Sequence, residues 1–222
     1  MTLKLHELTN EDEFKLVVDI EHEAYSNPFN GVWEITKGSS TEECCARQFS
    51  WHRNDSSSHW IYVTDEASGD VIGGTQWHIH ETNPYAVEQP MRTAYWWPEG
   101  PMKQIGDQLI RDLRMHRPGH MSKPHLLISY CFVGSMHRNR GAASLMLKWG
   151  LEKADDLGLD TFVESTEVAR RTYEKHGFNV IGDLDMDAHL ENPSEDFNAL
   201  RERLGCPIHG WIMKREAQKK HN

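Results

Sequence analysis

Between Val133 and Ser144 the chain reads Val-Gly-Ser-Met-His-Arg-Asn-Arg-Gly-Ala-Ala-Ser, and these residue types suit the binding of an anion. Gly141 lacks a Cβ, so ligand atoms can come close to its backbone. Ala142, Ala143 and Ser144 are small enough to keep that approach open. A helical pattern begins here, and the N–H groups of a helix's first turn lack internal partners and carry the positive end of its dipole. Arg138 and Arg140, with Asn139 between them, add full charge beside those amides, and guanidinium groups favour phosphate bidentately. The chain as a whole carries a formal net charge of −10. A basic island in that setting points to a local anionic ligand more than to nucleic acid. His78-x-His80 has the same-face spacing of a strand, as a metal pair would, but no third ligand lies nearby and no metal site is expected.

Several elements must position this turn. Leu126 to Val133 is an apolar run that reads as a strand. Ser144 to Leu157 follows helical spacing, Thr161-Phe-Val163 is a second apolar run, and a second helical pattern ends at His176-Gly-Phe178. Strand, turn, helix, strand, helix is an order that can hold a phosphorylated cofactor at a helix start. Upstream, Leu3 to Leu8 alternates as a half-exposed strand does. Thr9 and Asn10 can cap a helix that buries Phe14, Val17 and Val18 and ends at Tyr25 to Phe29. A further helix is expected from Thr41 to about His52, then a loop at Asp55 to Ser58. Trp60 to Thr64 and Val71 to His80 read as a hairpin turning at Gly69. Residues 81–124 interrupt the pattern with aromatics and prolines. Met102, Ile105, Leu109 and Leu113 there predict a helix over about 100–116, in an insertion between strands three and four. After Asn179 to Ile181, a further strand, Asp183 to Asp187 reads as a polar connection. Ser194 to Leu204 has a capped helical pattern, His209 to Met213 reads as the last strand, and 214–222 as a polar tail. The whole, 1–222, reads as one α/β domain with a mixed sheet of six to seven strands flanked by helices.

Composition narrows the class. The four cysteines include one adjacent pair and no Cys-x-x-Cys, which reads as reduced thiols in a cytoplasmic protein. No apolar run approaches the ~20 residues of a membrane span, and the N-terminal stretch lacks a signal peptide's apolar core. Neither a membrane nor a nucleic acid is expected as partner. Gly73-Gly74 lacks the Gly-x-Gly-x-x-Gly fingerprint, and no Gly-x-x-x-x-Gly-Lys-Ser/Thr exists, which removes two common nucleotide folds.

The stretch from Val133 to Ala143 resembles the acetyl-CoA-binding signature of the GNAT N-acetyltransferase superfamily, Val-x-Pro-x-x-Arg/Gln-x-x-Gly-x-Gly/Ala, with Ser135 where the family has proline. Tyr173-Glu-Lys-His-Gly177-Phe178 is similar to the family's Tyr-x-x-x-Gly-Phe ending. Asn27-Pro-Phe29, Trp33 and Trp96-Trp97-Pro98-Glu-Gly100 are similar to a subset of fungal members. The resemblance implies the GNAT fold, acetyl-CoA as cofactor, and transfer of the acetyl group to an amine.

It also implies roles. Arg138 to Ser144 would hold the cofactor's phosphates, and backbone N–H near Phe132 and Val133 would polarise the thioester. Tyr173, a phenol protonated at neutral pH, would neutralise the departing thiolate. Phe29, Trp33, His78, Trp96 and Trp97 would border the acceptor, the last two by cation–π contact or simply by packing the insertion. An alkyl amine with a pKa near ~10.4 must also lose a proton. The family often places a glutamate on the fourth strand for this, where the present chain has Ser129, Tyr130 and Cys131. Glu164 is taken as the base, with Glu23, His78 and His80 left open. The acceptor is expected to be a small-molecule amine, the acidic balance mildly favouring a cationic one. A protein or peptide acceptor and a non-enzymatic acetyl-CoA sensor are the alternatives, and a homodimer is a conceivable state.

Overall fold

The computed structural model describes residues 2–218. A seven-stranded mixed sheet runs through it in the order β1-β2-β3-β4-β5-β7-β6, where β1 is Leu3–Glu7, β2 Ser58–Asp65, β3 Val71–His80, β4 His125–Val133, β5 Asp160–Thr166, β6 Asn179–Met186 and β7 Ile208–Arg215. Among the described residues only β4 and β5 pair in parallel. Helices cover both faces: α1 (Glu11–Ser26) and α3 (Thr41–Arg53) on one side, α6 (Ala142–Leu157) and α7 (Glu167–Glu174) on the other. The expected cap of α1 is present, and two further helix ends are also closed. Asn10 and Glu13 form a reciprocal capping box on α1, Ser40 caps α3, and α6 stops at left-handed Gly158, whose N–H donates to Ala154 and Asp155.

Three segments differ from expectation. A six-residue helix, α2 (Gly31–Thr36), follows Phe29, started by Asn30, whose side chain accepts from the Trp33 N–H at 2.9 Å. β6 continues through Asp183 and Asp185 to Met186, because Leu184 and Met186 alternate inward between exposed acids. The expected polar tail begins too early: Lys214 and Arg215 belong to β7, and Arg215, 5% exposed, pairs with both carboxylate oxygens of Asp155 at 2.8 and 2.9 Å. Its last four positions, 219–222, lie outside the described residues. Between β3 and β4, residues 81–124 form a strap, the expected helix α4 (Pro101–Met115) and the short α5 (Arg117–His120). The helix α8 is Glu195–Arg203; α2, α4 and α8 pack together around Ile35, Ile105, Leu109 and Phe197. No helix among the described residues is long and apolar enough to cross a membrane.

The feature that positions the site is a break in the ladder. β4 and β5 pair over four positions only, from His125↔Asp160 to Ile128↔Val163. The β3–β4 register shifts between Gln76 and Trp77, so Ser129 is an extra residue on β4, and such a bulge bends its strand. Beyond it Tyr130–Val133 stay with β3 while Glu164–Thr166 stay with β7, and the two central strands part.

Packing on the α6 face leaves no slack. A Cβ built on Gly150 would sit 2.3 Å from the buried Trp77 ring. An ordinary helical Gly→Ala change stabilises by up to ~1 kcal/mol, whereas overpacking costs about 1–3 kcal/mol. Gly150→Ala should therefore lower the thermal midpoint, and Gly119→Ala, whose Cβ meets nothing within 4 Å, should not. Equal midpoints for the two variants would contradict this packing.

Candidate active site

The parting strands open into a cleft of about 1720 Å³. That exceeds the ~300–1,000 Å³ of a drug-sized pocket and leaves room for a long cofactor and an acceptor. One end is the turn and α6 start, His137 to Ser144; the other is bounded by β3, the end of α4 and the strap.

At the turn, the backbone has the features an anion site would need. Asn139 (φ 60°) and Gly141 (φ 91°) are both left-handed, and a Cβ on Gly141 would project into open space. No side chain caps α6, and its first internal bond runs from Leu145 N–H to Gly141 C=O. The N–H groups of Ala142, Ala143 and Ser144 therefore precede the helical ladder, as a phosphate site requires. The two arginines do not serve as expected. Arg138 donates to the carbonyls of Val133, Ala24 and Asn27, tying the end of α1 to the turn, where orphan helix carbonyls need donors. Arg140 pairs with Asp65 and His137. Both charges are committed internally, so a ligand's phosphates would rest on Asn139 and Gly141 to Ser144.

The wall between turn and acceptor is the open side of β4. Cys131 N–H lies 3.4 Å from the Tyr25 hydroxyl, and Val133 C=O accepts from Arg138 at 3.3 Å. Both residues thus face away from β3. Because antiparallel residues alternate, the Phe132 amide faces β3 instead. Of the two expected donors Val133 remains on the open side, while the neighbouring outward N–H, that of Cys131, already donates to Tyr25. Tyr173, 5% exposed, packs edge-on against Phe178 and lines the cleft. Burial raises its pKa well above the usual phenol value, with the adjacent Cys131 thiol adding to the shift, so it stays protonated.

At the acceptor end Glu164 is not the free base expected. Its oxygens accept from Arg117 Nε and Nη2 at 2.6 and 2.8 Å, and His116 lies 3.2 Å away. Burial alone would raise its pKa; the Arg117 charge and these hydrogen bonds override that and hold it down to about 2. Glu23 is also occupied, by the Ser135 N–H and hydroxyl. His80, half-buried and beside His125 and His78, is pulled down to about 4 by desolvation and those neighbours. His78 differs. Its Nδ1 faces Asp55 Oδ2 at 3.3 Å and the Ser57 hydroxyl at 3.1 Å, and Ser57 N–H in turn donates to Asp55. That arrangement puts the proton on Nδ1 and leaves Nε2 basic. Burial lowers the His78 pKa, so the ring is neutral at pH 7.

The expected aromatics divide. Trp33, 3% exposed, packs on Tyr25 in the cleft floor, and Phe29, 52% exposed, stands at its mouth. Trp96 and Trp97 both donate to Ile35 C=O at 2.8 Å, fastening the strap to α2. Arg47 already covers the Trp96 face at 4.3 Å, and Trp97 is not part of the cleft wall. Sequence reading passed over Tyr25, Asp55, Tyr85, Arg92, Arg114 and Arg117. Of these only Asp55 left a local signal, as the head of an Asp-Ser-Ser-Ser turn.

Two outcomes test this geometry. Gly141→Val should abolish acetyl-CoA binding by calorimetry while circular dichroism stays native; normal binding would remove the turn as the phosphate site. Glu164→Gln strands buried Arg117, a loss of about 3–5 kcal/mol in urea unfolding at pH 7. Because the Glu164 pKa is depressed when folded, that stabilisation is present above the unfolded value near 4.5 and fades as pH falls toward about 2. The gap between wild type and variant should close over that window.

The chain's matches among known proteins agree with this fold. The model of the Acetyltransferase (GNAT) family matches residues 17–178. No curated protein matches. Among solved structures, "histone acetyltransferase HPA2 and related acetyltransferase" from Corynebacterium glutamicum superposes with a TM-score of 0.57 at 16% identity, over 100% of both chains. A phosphinothricin acetyltransferase from Sinorhizobium meliloti in complex with AcCoA gives 0.56 at 13%, over 99% of this chain and 91% of that one. The ribosomal-protein-S18-alanine N-acetyltransferase from Escherichia coli gives 0.53 at 12%, over 100% and 98%. With the family model spanning the divergent strands, the turn and Tyr173, this chain belongs to the GNAT acetyltransferase family and is an acetyl-CoA-dependent acyltransferase.

Proposed function

We propose that the protein transfers an acetyl group to the primary amine of a small molecule, with His78 as proton acceptor and Tyr173 as proton donor. The observation that supports this most is the juxtaposition, in one cleft, of an uncapped helix start, an open strand edge, a protonated phenol and a neutral histidine aligned by Asp55. Bound acetyl-CoA supplies an acetyl group activated as a thioester. The Val133 N–H, on the open side of β4, would face a carbonyl oxygen as it gains charge, a placement worth a few kcal/mol when the donor is preorganised. His78 Nε2 takes the proton the attacking nitrogen must lose, and Tyr173 gives one to the departing sulfur. Asp55 is a positioning residue that fixes the His78 tautomer. The strap residues Pro84, Tyr85, Met91 and Tyr95 wall the acceptor end, which favours a small amine over a folded partner. The structural neighbours carry names for both small-molecule and protein acceptors, and at 12–13% identity neither acceptor transfers to this chain.

Removing a general acid or base typically costs ~10²–10⁴-fold. Tyr173→Phe should lower kcat by that order and leave the acetyl-CoA dissociation constant within about twofold; equal losses in both would remove the acid assignment. The His78 pKa lies below 6.5, so log kcat/KM should bend downward on its acid side below pH 6.5. His78→Gln should lack that bend and Asp55→Asn should move it, and an unchanged profile in both would reassign the base. Melting stabilised by acetyl-CoA, with no thiol released to any amine, would favour the sensor.

A further inference from the structure

We infer that the acceptor amine also carries an anionic group, of the carboxylate class, bound between Arg114 and Arg92 at the acceptor end of the cleft. The inference rests on that end being the amine site proposed above.

Its basis is an unbalanced charge. The chain holds 24 basic against 34 acidic residues, so a buried guanidinium has carboxylates to choose from, and several have taken one. Arg117 pairs with Glu164, Arg201 with Asp187 and Arg215 with Asp155. Arg114 breaks this habit. It is half-buried, lines the cleft, and makes neither a hydrogen bond nor an ion pair among the described residues. Its neighbours worsen its position. Burial, then the like charges of Arg117 and Arg92, pull its pKa down to about 9; only Tyr85 and Glu164 oppose them, and Glu164 is already engaged by Arg117. Desolvating a cation without a partner is costly, and groups perturbed in this way concentrate at functional sites.

A purely structural account covers part of this. Arg114 sits in the last turn of α4, where a positive side chain complements the helix dipole. That accounts for a base at this position and not for its gathering with two more guanidiniums around one cavity. An incoming carboxylate would accept from the guanidinium fork and offset the repulsion. Arg92, Arg114, Arg117 and His78 all line the one cleft, and the Arg92 and Arg117 charges that act on Arg114 also act on His78. The cationic acceptor that the overall charge favours is thereby replaced: the field at this end is set by Arg92, Arg114 and Arg117 against Glu164 and Asp55.

The test separates binding from transfer. A panel of N-acetylated amino acids and their matched uncharged carboxamides is titrated calorimetrically into protein saturated with coenzyme A. At least one acid should bind ten-fold or more tightly than its amide. Arg114→Gln should pull that ratio toward one, and so should Arg92→Gln, whose exposed position keeps folding out of the result. Ratios near one across the panel, or ratios indifferent to both substitutions, overturn the inference. Free amino acids and matched uncharged amines are then offered with acetyl-CoA and thiol release is followed. Arginine-dependent binding without release keeps the anion site and sinks the transfer reading. Release with no advantage for the carboxylate keeps the transfer and sinks the anion site.

Discussion

The ladder between β4 and β5 ends at Ile128 and Val163, and the active cleft is the space that this ending creates. A sheet gains by pairing every inner strand on both sides, because unpaired backbone groups away from water are costly. Here the extra residue at Ser129 bends β4 toward β3, while β7 keeps β5. Backbone pairing has been exchanged at this point for an accessible strand edge. The remaining features follow from it. α6 can start at the mouth of the opening, Tyr173 of α7 can reach β4 through it, and α1 must come close enough for Tyr25 to cover the Cys131 peptide.

The two ends of the cleft are built by different physics. The end at the turn is a matter of backbone: left-handed Asn139 and Gly141 shape it, and no side chain caps the first amides of α6. Its arginines are scaffolding, since Arg138 closes the end of α1 and Arg140 neutralises Asp65. The other end is lined by side chains from several separate segments. At its centre the Arg117–Glu164 pair, with side chains 7% and 6% exposed, is an electrostatic keystone. Such pairs add little net stability, yet losing either member leaves a buried charge. By engaging Glu164 the pair removes the obvious base, which is why the proposed proton acceptor is His78.

What was legible follows the same division. The turn, α6 and Tyr173 lie within one contiguous stretch, where glycine, small residues and spacing carry their meaning locally, so the strand, turn and helix could be read there. The engagement of Arg138 could not, because its carbonyl partners Ala24 and Asn27 lie more than a hundred positions upstream. The acceptor half joins Asp55, His78, Arg92, Arg114, Arg117 and Glu164, and no spacing relates residues that meet only through the fold. Glu164 drew attention as an acid at a strand end; that Arg117 would claim it was not written near it. Shorter elements escaped for other reasons. α2 is too brief for a 3.6-residue period, and the acids of β6 hid the alternation of Leu184 and Met186.

Strand edges ordinarily lie at the rim of a sheet, where any extended neighbour can add itself and seed association. The stretch of β4 past Ser129 is a rim moved into the interior, walled by β5, α1 and α7. A neighbouring molecule's sheet has no line of approach to it. A slender, flexible chain carrying its own amide groups can thread in singly and hydrogen-bond as a surrogate strand, so the fold keeps the adhesiveness of a raw β-edge while denying it to other proteins.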